Sequence, residues 1–370
     1  MKRGKASNRL LDFYLGIPVL NLLASFRRRA PYPKQPERIG IFLNPALGDT
    51  LLGSASILDV RNIFPHAKLI LFATSANAAA AKLLPEIDEI TLIPITRPIK
   101  CIQILRRCRL DLMLDFTSWQ RITAAYTLLS GARFTAGFER KKQYRHRGYD
   151  KTVAHLSDCH EIENQRRLTT WLGASTKCAP RLVIPAGPVP GEILAGGKLI
   201  VLHAWPSGAL SSLREWPEER WVELAKRLMS PERIFLLTGS PADEPRCHAV
   251  FERFVAQGIP ARVLIGHDGI AGVARVLQRA ELLISVNTGI MHLGAILGVP
   301  TVALNGPTSA HRWGPVGTNV ANVSTSDASG GFLDLGFEFR DRNHNVMVKI
   351  SVDAVVRAVQ ELSSNHQKRA

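Results

Sequence analysis

Short apolar runs alternate along the chain with longer stretches in which apolar residues recur every three or four positions. The short runs are rich in Val, Ile and Leu, as buried parallel strands are, and the longer stretches have the period of amphipathic helices. In the first half, the runs that predict strands are residues 39–43, 68–73, 90–95, 110–116 and 134–138. Strands and helices in alternation predict a doubly wound α/β domain, which we place at residues 39–185.

The alternation stops at residues 185–197, which are rich in Pro and Gly and predict a linker, and then begins again. In the second half, the predicted strands are residues 199–203, 234–237, 262–265, 281–286 and 301–304, and the predicted helices are residues 218–229, 244–256 and 270–279. The pattern therefore predicts a second Rossmann-like domain at residues 198–350. A last run of helical period at residues 352–362 predicts a helix within a C-terminal segment, residues 351–370.

The strand predicted at residues 281–286 ends in Asn287-Thr288-Gly289, and a short helix follows that Gly298 ends. In such a unit of a parallel sheet, the free N–H groups of the helix start point outward at the carboxyl end of the strand. Small residues there let a phosphate approach, so this turn is a candidate phosphate site. The alternative is that the turn only connects two elements, as every strand–turn–helix unit requires.

The 370 residues include 47 Lys and Arg against 31 Asp and Glu, which gives a net charge of +16. A charge of this size indicates acidic partners: nucleic acid, anionic lipid or phosphorylated small molecules. The basic residues cluster in two segments instead of lining one helix, and no usual nucleic-acid-recognition motif is present. We therefore expect anionic lipid or phosphorylated substrates, and no nucleic acid.

The first cluster of cations flanks an apolar stretch, and residues 1–38 form a basic amphipathic N-terminal segment. The apolar residues 10–26 include Asp12, Pro18 and Asn21, so the stretch is too interrupted to span a bilayer comfortably. We expect it to lie in the headgroup region of the anionic inner leaflet; a disordered segment or a helix docked on the core is the alternative. The flanking cations are Lys2, Arg3, Lys5, Arg9, Arg27, Arg28 and Arg29.

The second cluster of cations lies mid-chain, with Tyr144 and Tyr149 among them. One interpretation is a solvated loop without a function. The other is a loop that binds an anionic acceptor. The cations that we expect to contact the acceptor are Arg140, Lys142, Arg145 and Arg147.

Several common chemistries have no motif in this sequence. The patterns G-x-x-x-x-G-K-[ST], G-x-G-x-x-G and G-x-S-x-G do not occur, which argues against P-loop enzymes, ordinary dinucleotide oxidoreductases and α/β-hydrolases. The five cysteines form no C-x-x-C pair, so a reducing compartment is the simpler expectation. His155, Cys159 and His160 are close enough in sequence to suggest metal ligands. No second group of His or Cys with matching spacing completes such a site, and we expect no metal.

Three stretches of sequence together carry a family resemblance. They are Leu47-Gly48-Asp49-Thr50-Leu51-Leu52, Arg214-Glu215-Trp216-Pro217, and Asn287-Thr288-Gly289-Ile290-Met291-His292 with Gly306-Pro307-Thr308 downstream. In these motifs the chain resembles glycosyltransferase family 9, the heptosyltransferase family of lipopolysaccharide core assembly. The resemblance implies a GT-B fold, in which two Rossmann-like domains face each other across a cleft. It also implies inverting sugar transfer, without metal or cofactor, from a nucleotide-diphosphate sugar, usually ADP-heptose, to a lipid-linked acceptor at the inner leaflet.

The resemblance gives roles to residues of both predicted domains. Asp49 takes the position of the family's proposed base, and a carboxylate suits the removal of a proton from an acceptor hydroxyl. Its alternative role is the N-cap of the helix that follows. Arg214 aligns with the family's phosphate-binding lysine, and this change keeps the charge but replaces a point donor by a planar fork. Thr288 and Gly289, at a helix start, would join Arg214 in stabilising the departing diphosphate.

Three further donor-side residues follow from the same resemblance. Glu244 is placed like the family's ribose-binding glutamate, and an exposed carboxylate at a helix start is the alternative. His292 lies one turn into its helix, where it either contacts a phosphate or packs. Asn287 stands where the family usually has aspartate, which removes a negative charge from the donor side. An ADP-sugar remains the favoured donor, but ADP-heptose itself is in doubt.

The favoured expectation is a cytoplasmic glycosyltransferase, peripheral on the inner face of the cytoplasmic membrane. It would move heptose or a related hexose to an anionic lipid-linked or lipopolysaccharide-type acceptor. Two other functions remain open. One is a nucleotide-sugar epimerase on the same fold, which would need no acceptor. The other is a non-catalytic basic protein that binds membrane or nucleic acid.

Overall fold

The computed structural model describes residues 10, 12–26, 30–208, 210–266, 268–335, 338–339 and 345–367. The chain divides into two compact units, Met1–Val183 and Ile184–Ala370. Each unit is built on a parallel sheet of six strands, and the strand order counted within each unit is 3-2-1-4-5-6 in both. This order is that of a doubly wound Rossmann-like sheet, so the predicted α/β fold class is confirmed.

The sheet of the first unit forms its centre, with helices packed on it. Its strands are β1 (Arg38–Phe42), β2 (Lys68–Ala73), β3 (Glu89–Leu92), β4 (Leu112–Asp115), β5 (Phe134–Glu139) and β6 (Lys151–Ala154). Its helices are α1 (Gly16–Ser25), α2 (Leu47–Leu52), α3 (Ser54–Ile63), α4 (Ala78–Ala81), α5 (Pro98–Arg107), α6 (Arg121–Leu129) and α7 (Glu161–Leu172). Side chains on both faces of β1, β2 and β4 are buried, which explains why these strands occur as continuous apolar runs in the sequence.

Two elements of the first unit, β6 and α7, are missing from the sequence-based prediction. β6 is an edge strand of half-buried and exposed residues, so it lacks an apolar run. α7 packs polar side chains against α3: Ser56 Oγ donates to Gln165 Oε1 at 3.0 Å, and Thr169 Oγ1 donates to Asp59 Oδ2 at 3.0 Å. Because buried hydrogen bonds replace part of the apolar stripe, the helix has a weak hydrophobic period.

The N-terminal apolar stretch contains α1, which docks on the first unit. Leu20 is 0% exposed and packs with Ala124 of α6 and with Tyr149. The docked helix that the sequence left as an alternative is therefore present, whereas the cations at residues 2–9 and 27–29 lie outside the described residues. None of the described helices combines the length and the apolar character that crossing a membrane requires.

The second unit repeats the arrangement of the first. Its strands are β7 (Lys198–His203), β8 (Arg233–Gly239), β9 (Ala261–Ile265), β10 (Ala280–Val286), β11 (Thr301–Asn305) and β12 (Val320–Ser324). Its helices are α8 (Gly191–Leu194), α9 (Glu218–Leu228), α10 (Glu244–Ala256), α11 (Gly269–Leu277), α12 (Gly289–Ile296), α13 (Ala310–Trp313) and α14 (Val352–Gln367). The last helix, α14, includes the run of helical period at residues 352–362, and it packs on α9 and β12.

The segment that the sequence predicts as a linker is tied to the second unit. Arg275 of α11 donates from Nε to Pro188 O at 3.1 Å and from Nη1 to Pro185 O at 3.1 Å. The Arg275 side chain also lies against Gly187, where an added Cβ would come within 2.7 Å of the guanidinium carbon. One buried arginine of the second unit therefore contacts three residues of the predicted linker, Pro185, Gly187 and Pro188.

A buried ion pair fixes the segment between β5 and β6. Arg145 is 0% exposed, and its Nη2 donates to Asp115 Oδ2 at 3.0 Å, to Thr117 Oγ1 at 2.7 Å and to Tyr149 Oη at 2.7 Å. Burial raises the pKa of Tyr149 well above its ordinary value, and the neutral phenol donates to Asp115 Oδ2 at 2.7 Å. Arg145 is therefore part of the interior, and we remove it from the cations expected to meet an acceptor.

Replacing Arg145 by Ala should destabilise the first unit by about 3–5 kcal/mol, because it leaves the Asp115 carboxylate buried without its cation. Urea unfolding monitored by circular dichroism measures the change. Arg147, two residues along and exposed, is the matched control, and Arg147→Ala should stay within about 0.5 kcal/mol of the parent. Equal stability of the two variants would contradict a structural role for Arg145.

Candidate functional site

Asp49 lies in α2, the helix that follows the loop after β1. Ala46 is the N-cap of α2, and Asp49 occupies the third position of the helix, with 6% of its surface exposed. The N-cap alternative for Asp49 is therefore wrong. A carboxylate in the first turn still stabilises the helix through the helix dipole. Asp49 therefore contributes about 0.3–1 kcal/mol to the stability of the helix.

Four buried polar side chains brace this loop against the ends of β2 and β4. Thr50 Oγ1 donates to Asn44 O at 3.0 Å, and Asn77 Nδ2 donates to Thr50 Oγ1 at 3.2 Å. Asn44 Nδ2 donates to Ser118 Oγ at 3.1 Å. The sequence analysis missed Asn44, Asn77 and Ser118, although a polar residue soon after a buried strand is a usable signal. Together they fix the backbone from which Asp49 projects.

In the second unit, the turn after β10 forms the start of α12. Thr288 is the N-cap in an extended conformation, and Gly289 is the first helical residue. Gly298, with a φ of +80°, follows the helix where the left-handed conformation is needed to end it. His292 is only 4% exposed, which favours packing of its ring over contact with a ligand. The free N–H groups of the helix start lie at the carboxyl edge of the second sheet.

Arg214 lies in the loop after β7, and its neighbours fix its position. Its Nη2 donates to the backbone oxygen of Ser207 at 2.6 Å. Glu215 accepts two hydrogen bonds from Arg246, at 2.7 and 3.1 Å. Trp216, 2% exposed, anchors the loop in the core and donates from its indole nitrogen to a backbone oxygen at 2.9 Å. Arg214 therefore lies beside residues that hydrogen bonds hold to the unit, at the same sheet edge as the start of α12.

Asn287 begins a chain of side-chain amides across the ends of β10, β11 and β12. Its Nδ2 donates to Asn305 Oδ1 at 2.7 Å and to Trp313 O at 2.9 Å. Asn305 Nδ2 in turn donates to Asn322 Oδ1 at 2.8 Å. Both hydrogens of the Asn287 amide are thus used within the fold. An aspartate at this position has no hydrogen to offer to either acceptor.

His203 ends β7, beside the central strand β10, where it pairs in register with Ser285. It is 8% exposed, and its Nδ1 lies 3.1 Å from Thr238 Oγ1. Burial lowers the pKa of His203 from 6.5 to about 4. The imidazole is therefore neutral near pH 7. The sequence analysis did not select His203, because it follows an apolar run without any motif around it.

The other predicted site residues differ in exposure. Glu244 is the exposed first residue of α10, at the carboxyl edge of the second sheet. In the first unit, Lys142 and Arg147 are exposed and Arg140 is half-buried, whereas Arg145 is interior.

The possible metal ligands have other roles. His155 Nε2 lies 3.1 Å from the buried Glu161 carboxylate, and His160 is the N-cap of α7, accepting from the Ile162 backbone at 3.2 Å. In the part of the chain that the structure describes, no three His, Cys, Asp or Glu residues are grouped so that they could hold a metal ion.

One family model matches the sequence of the second unit. The model of glycosyltransferase family 9 (heptosyltransferase) matches residues 198–330, which include Arg214 and the turn from Asn287 to His292. Over these residues the second unit is similar to glycosyltransferase family 9. Lipopolysaccharide heptosyltransferase 1 of Escherichia coli K12 is 36% identical over 126 residues, which are 34% of this chain and 37% of that protein. The match thus spans little more than a third of this relative's length.

Solved structures resemble the chain across both units. The family 9 glycosyl transferase of Veillonella parvula superposes with a TM-score of 0.72 and 19% identity, over 90% of this chain and 98% of that one. The E. coli heptosyltransferase WaaC with ADP superposes with a TM-score of 0.69 and 21% identity, over 88% and 99%. At these identities the likeness is one of fold, and the fold is GT-B-like.

Changing Asn287 to Asp, the residue usual in the family, should destabilise the second unit by about 1–3 kcal/mol. The carboxylate would face two acceptor oxygens where the amide now donates two hydrogen bonds. Thermal unfolding measures the effect. Asn319→Asp is the matched control, because the Asn319 amide makes one long hydrogen bond of 3.4 Å to Gly298 O. If Asn287→Asp proves as stable as Asn319→Asp, the amide chain contributes little.

His203 should make stability depend on pH. Because burial lowers its pKa from 6.5 to about 4, the unfolded chain binds a proton first as the pH falls. This contribution to stability is complete above about pH 6.5 and is lost between about 6.5 and 4, by at most roughly 3 kcal/mol. His203→Gln should flatten urea midpoints across that range. An unchanged pH profile in the variant would show that His203 is not the titrating group.

Proposed function

We propose that the protein is an inverting, metal-independent glycosyltransferase. It transfers a sugar from a nucleotide-diphosphate sugar, with an ADP-sugar favoured, to an anionic lipid-linked or lipopolysaccharide-type acceptor. The observation that carries the proposal is the family match over residues 198–330, which contains the start of α12 and Arg214. The relative in E. coli is named a lipopolysaccharide heptosyltransferase, and a similar solved structure contains ADP.

The second unit would bind the donor. The departing diphosphate gains negative charge as its bond to the sugar breaks, and N–H groups at a helix start together with a cation stabilise such charge. Thr288 and Gly289 begin α12, and Arg214 stands on a braced loop at the same sheet edge. Glu244, exposed after β8, is suited to accept hydrogen bonds from ribose hydroxyls. We give His292 the role of packing beneath the helix start.

Asn287 would change what the donor site accepts. A neutral amide that is already bonded to Asn305 and Trp313 cannot supply the negative charge that the family usually places here. We therefore propose a heptose-related or hexose donor whose recognition does not depend on a carboxylate at this position. ADP-heptose is the first comparison substrate.

The first unit would supply the base. Asp49 accepts the proton of the acceptor hydroxyl while that oxygen forms a bond to the anomeric carbon from the face opposite the diphosphate. The bond between the anomeric carbon and the diphosphate oxygen breaks in the same step. The products are the inverted glycoside and the nucleoside diphosphate, and the proton remains on Asp49. The bracing by Asn44, Asn77 and Ser118 keeps the loop fixed during this step.

The acceptor and the location are parts of the same proposal. Arg140, Lys142 and Arg147 follow β5 and would contact phosphates or acidic sugars of the acceptor. A lipid-linked acceptor implies work at the inner face of the cytoplasmic membrane, with the protein peripheral to it. The net charge of +16 supports attraction to an anionic leaflet.

The test is transfer of radiolabel from ADP-sugars to a lipid extract. The parent should label lipid, and Asp49→Asn should lower the rate by about 10²-fold or more while donor binding, measured by thermal shift, stays intact. Asp59→Asn is the control, because Asp59 is a buried carboxylate of the same unit that accepts from Thr169 and from the Cys178 backbone. It should lower stability and leave turnover per folded molecule unchanged.

Three other outcomes of the radiolabel experiment would contradict the proposal or part of it. A parent rate in Asp49→Asn would remove Asp49 from the mechanism. Formation of an epimer without labelled lipid would support the epimerase, and the absence of any product from a panel of nucleotide sugars would support a non-catalytic protein.

A further inference from the structure

The outward face of α1 is apolar although it is exposed. Val19 and Leu22 lie in the helix, and Leu15 and Phe26 are its two caps. These four residues follow one another at spacings of three and four, and their side chains are 48%, 62%, 57% and 79% exposed. The helix already buries Leu20 against α6 on another face. A helix packed on its unit by one apolar face normally turns polar residues outward, and this one turns a second apolar stripe outward. The exposed stripe therefore marks an interaction surface.

One arginine of α6 clamps the start of this segment to the unit. Arg121 is 7% exposed, and its Nη1 donates to Asp12 Oδ2 at 2.7 Å while its backbone N–H donates to Asp12 Oδ1 at 3.0 Å. Its guanidinium carbon lies 5.3 Å from the centroid of the Phe13 ring. At Gly16, an added Cβ would come within 3.1 Å of the Arg121 side chain. The stripe is thus presented in a fixed orientation.

The same arginine holds the basic loop. Its Nε donates to Gln143 O at 2.8 Å, and its Nη2 donates to Lys142 O at 3.4 Å. The cations of this loop that are exposed are Lys141, Lys142 and Arg147. One side chain therefore joins the apolar helix and the basic loop, two segments more than a hundred residues apart in the sequence.

We propose that the outward stripe of α1 and the exposed cations Lys141, Lys142 and Arg147 form one surface that binds an anionic lipid bilayer. The apolar side chains enter the headgroup boundary, and the cations contact lipid phosphates. The inference rests on the proposed peripheral location, but it does not need sugar transfer. It gives the basic loop a partner, the bilayer itself, that does not depend on the acceptor.

An exposed apolar stripe can be covered by a second copy of this chain or by a bilayer, and the net charge of the chain favours one of the two. A second copy of this chain would bring the same cations to the interface, and each copy carries a net charge of +16. Like charges at short range oppose such a dimer, whereas an anionic leaflet complements both the stripe and the cations. The bilayer is therefore the occupant we infer.

The test is co-sedimentation of the full chain with vesicles of phosphatidylglycerol and phosphatidylcholine. Leu15→Ala/Leu22→Ala keeps helix propensity and should weaken binding about tenfold or more. Lys141→Gln/Lys142→Gln/Arg147→Gln should weaken it by a similar factor and reduce its dependence on salt. The matched control is Met229→Ala/Val255→Ala, which removes two exposed apolar side chains of the second unit and should bind as the parent does.

Three results would contradict the proposal that this surface binds a bilayer. The first is parent-like binding by either variant, and the second is equal binding of the parent to pure phosphatidylcholine. The third is a dimer of the parent by light scattering that Leu15→Ala/Leu22→Ala abolishes. Transfer to a detergent-solubilised acceptor separates this inference from the proposed function. The leucine variant should transfer at the parent rate in detergent, so loss of vesicle binding with intact transfer supports the surface, and loss of both would contradict a role confined to the bilayer.

Discussion

A parallel sheet that is buried on both faces leaves polar backbone and loop groups to be satisfied where its strands end. This constraint shapes both units of the protein. In the first, Asn44 donates to Ser118 and Asn77 donates to Thr50 at the carboxyl edge. In the second, amides of Asn287 and Asn305 link adjacent strands. Asp49 and the turn at Thr288, which we propose for catalysis and donor binding, lie directly beside these hydrogen bonds, and the hydrogen bonds themselves take no part in the chemistry.

The sequence predicts most of the architecture because buried strands leave a strong trace in it. β2 occupies the residues that its apolar run predicts, and the turn at Thr288 begins α12 as expected. What the sequence conceals is where polar side chains point. Arg145 and Arg147 are indistinguishable in a basic loop, yet one is interior and the other exposed. α7 is concealed for the same reason, since its buried face is partly polar.

The departure at position 287 involves more than one residue. Asn287 donates to Asn305, and Asn305 can accept that bond only while its own amide hydrogens point towards Ala303 O and Asn322. An aspartate here would need Asn305 to turn over, and Asn322 would then lose its donor. The amide chain and the neutral side chain at position 287 therefore belong together. A return to the family's charge at this position requires compensating changes on two neighbouring strands.

Because α1 is docked on the first unit, the free-energy cost of ordering the helix is met on folding and does not reduce the affinity of a later binding step. Burial of Leu20 and the Asp12–Arg121 ion pair hold the helix in its place before any partner is present. An isolated helix of ten residues would be marginal in water and would have to order as it bound. Because that ordering is already done, the exposed leucines would contribute their transfer energy nearly in full to the bilayer binding that we propose. Arg121 extends the same advantage to the basic loop, since it fixes the backbone and leaves the long side chains of Lys142 and Arg147 able to follow mobile phosphates.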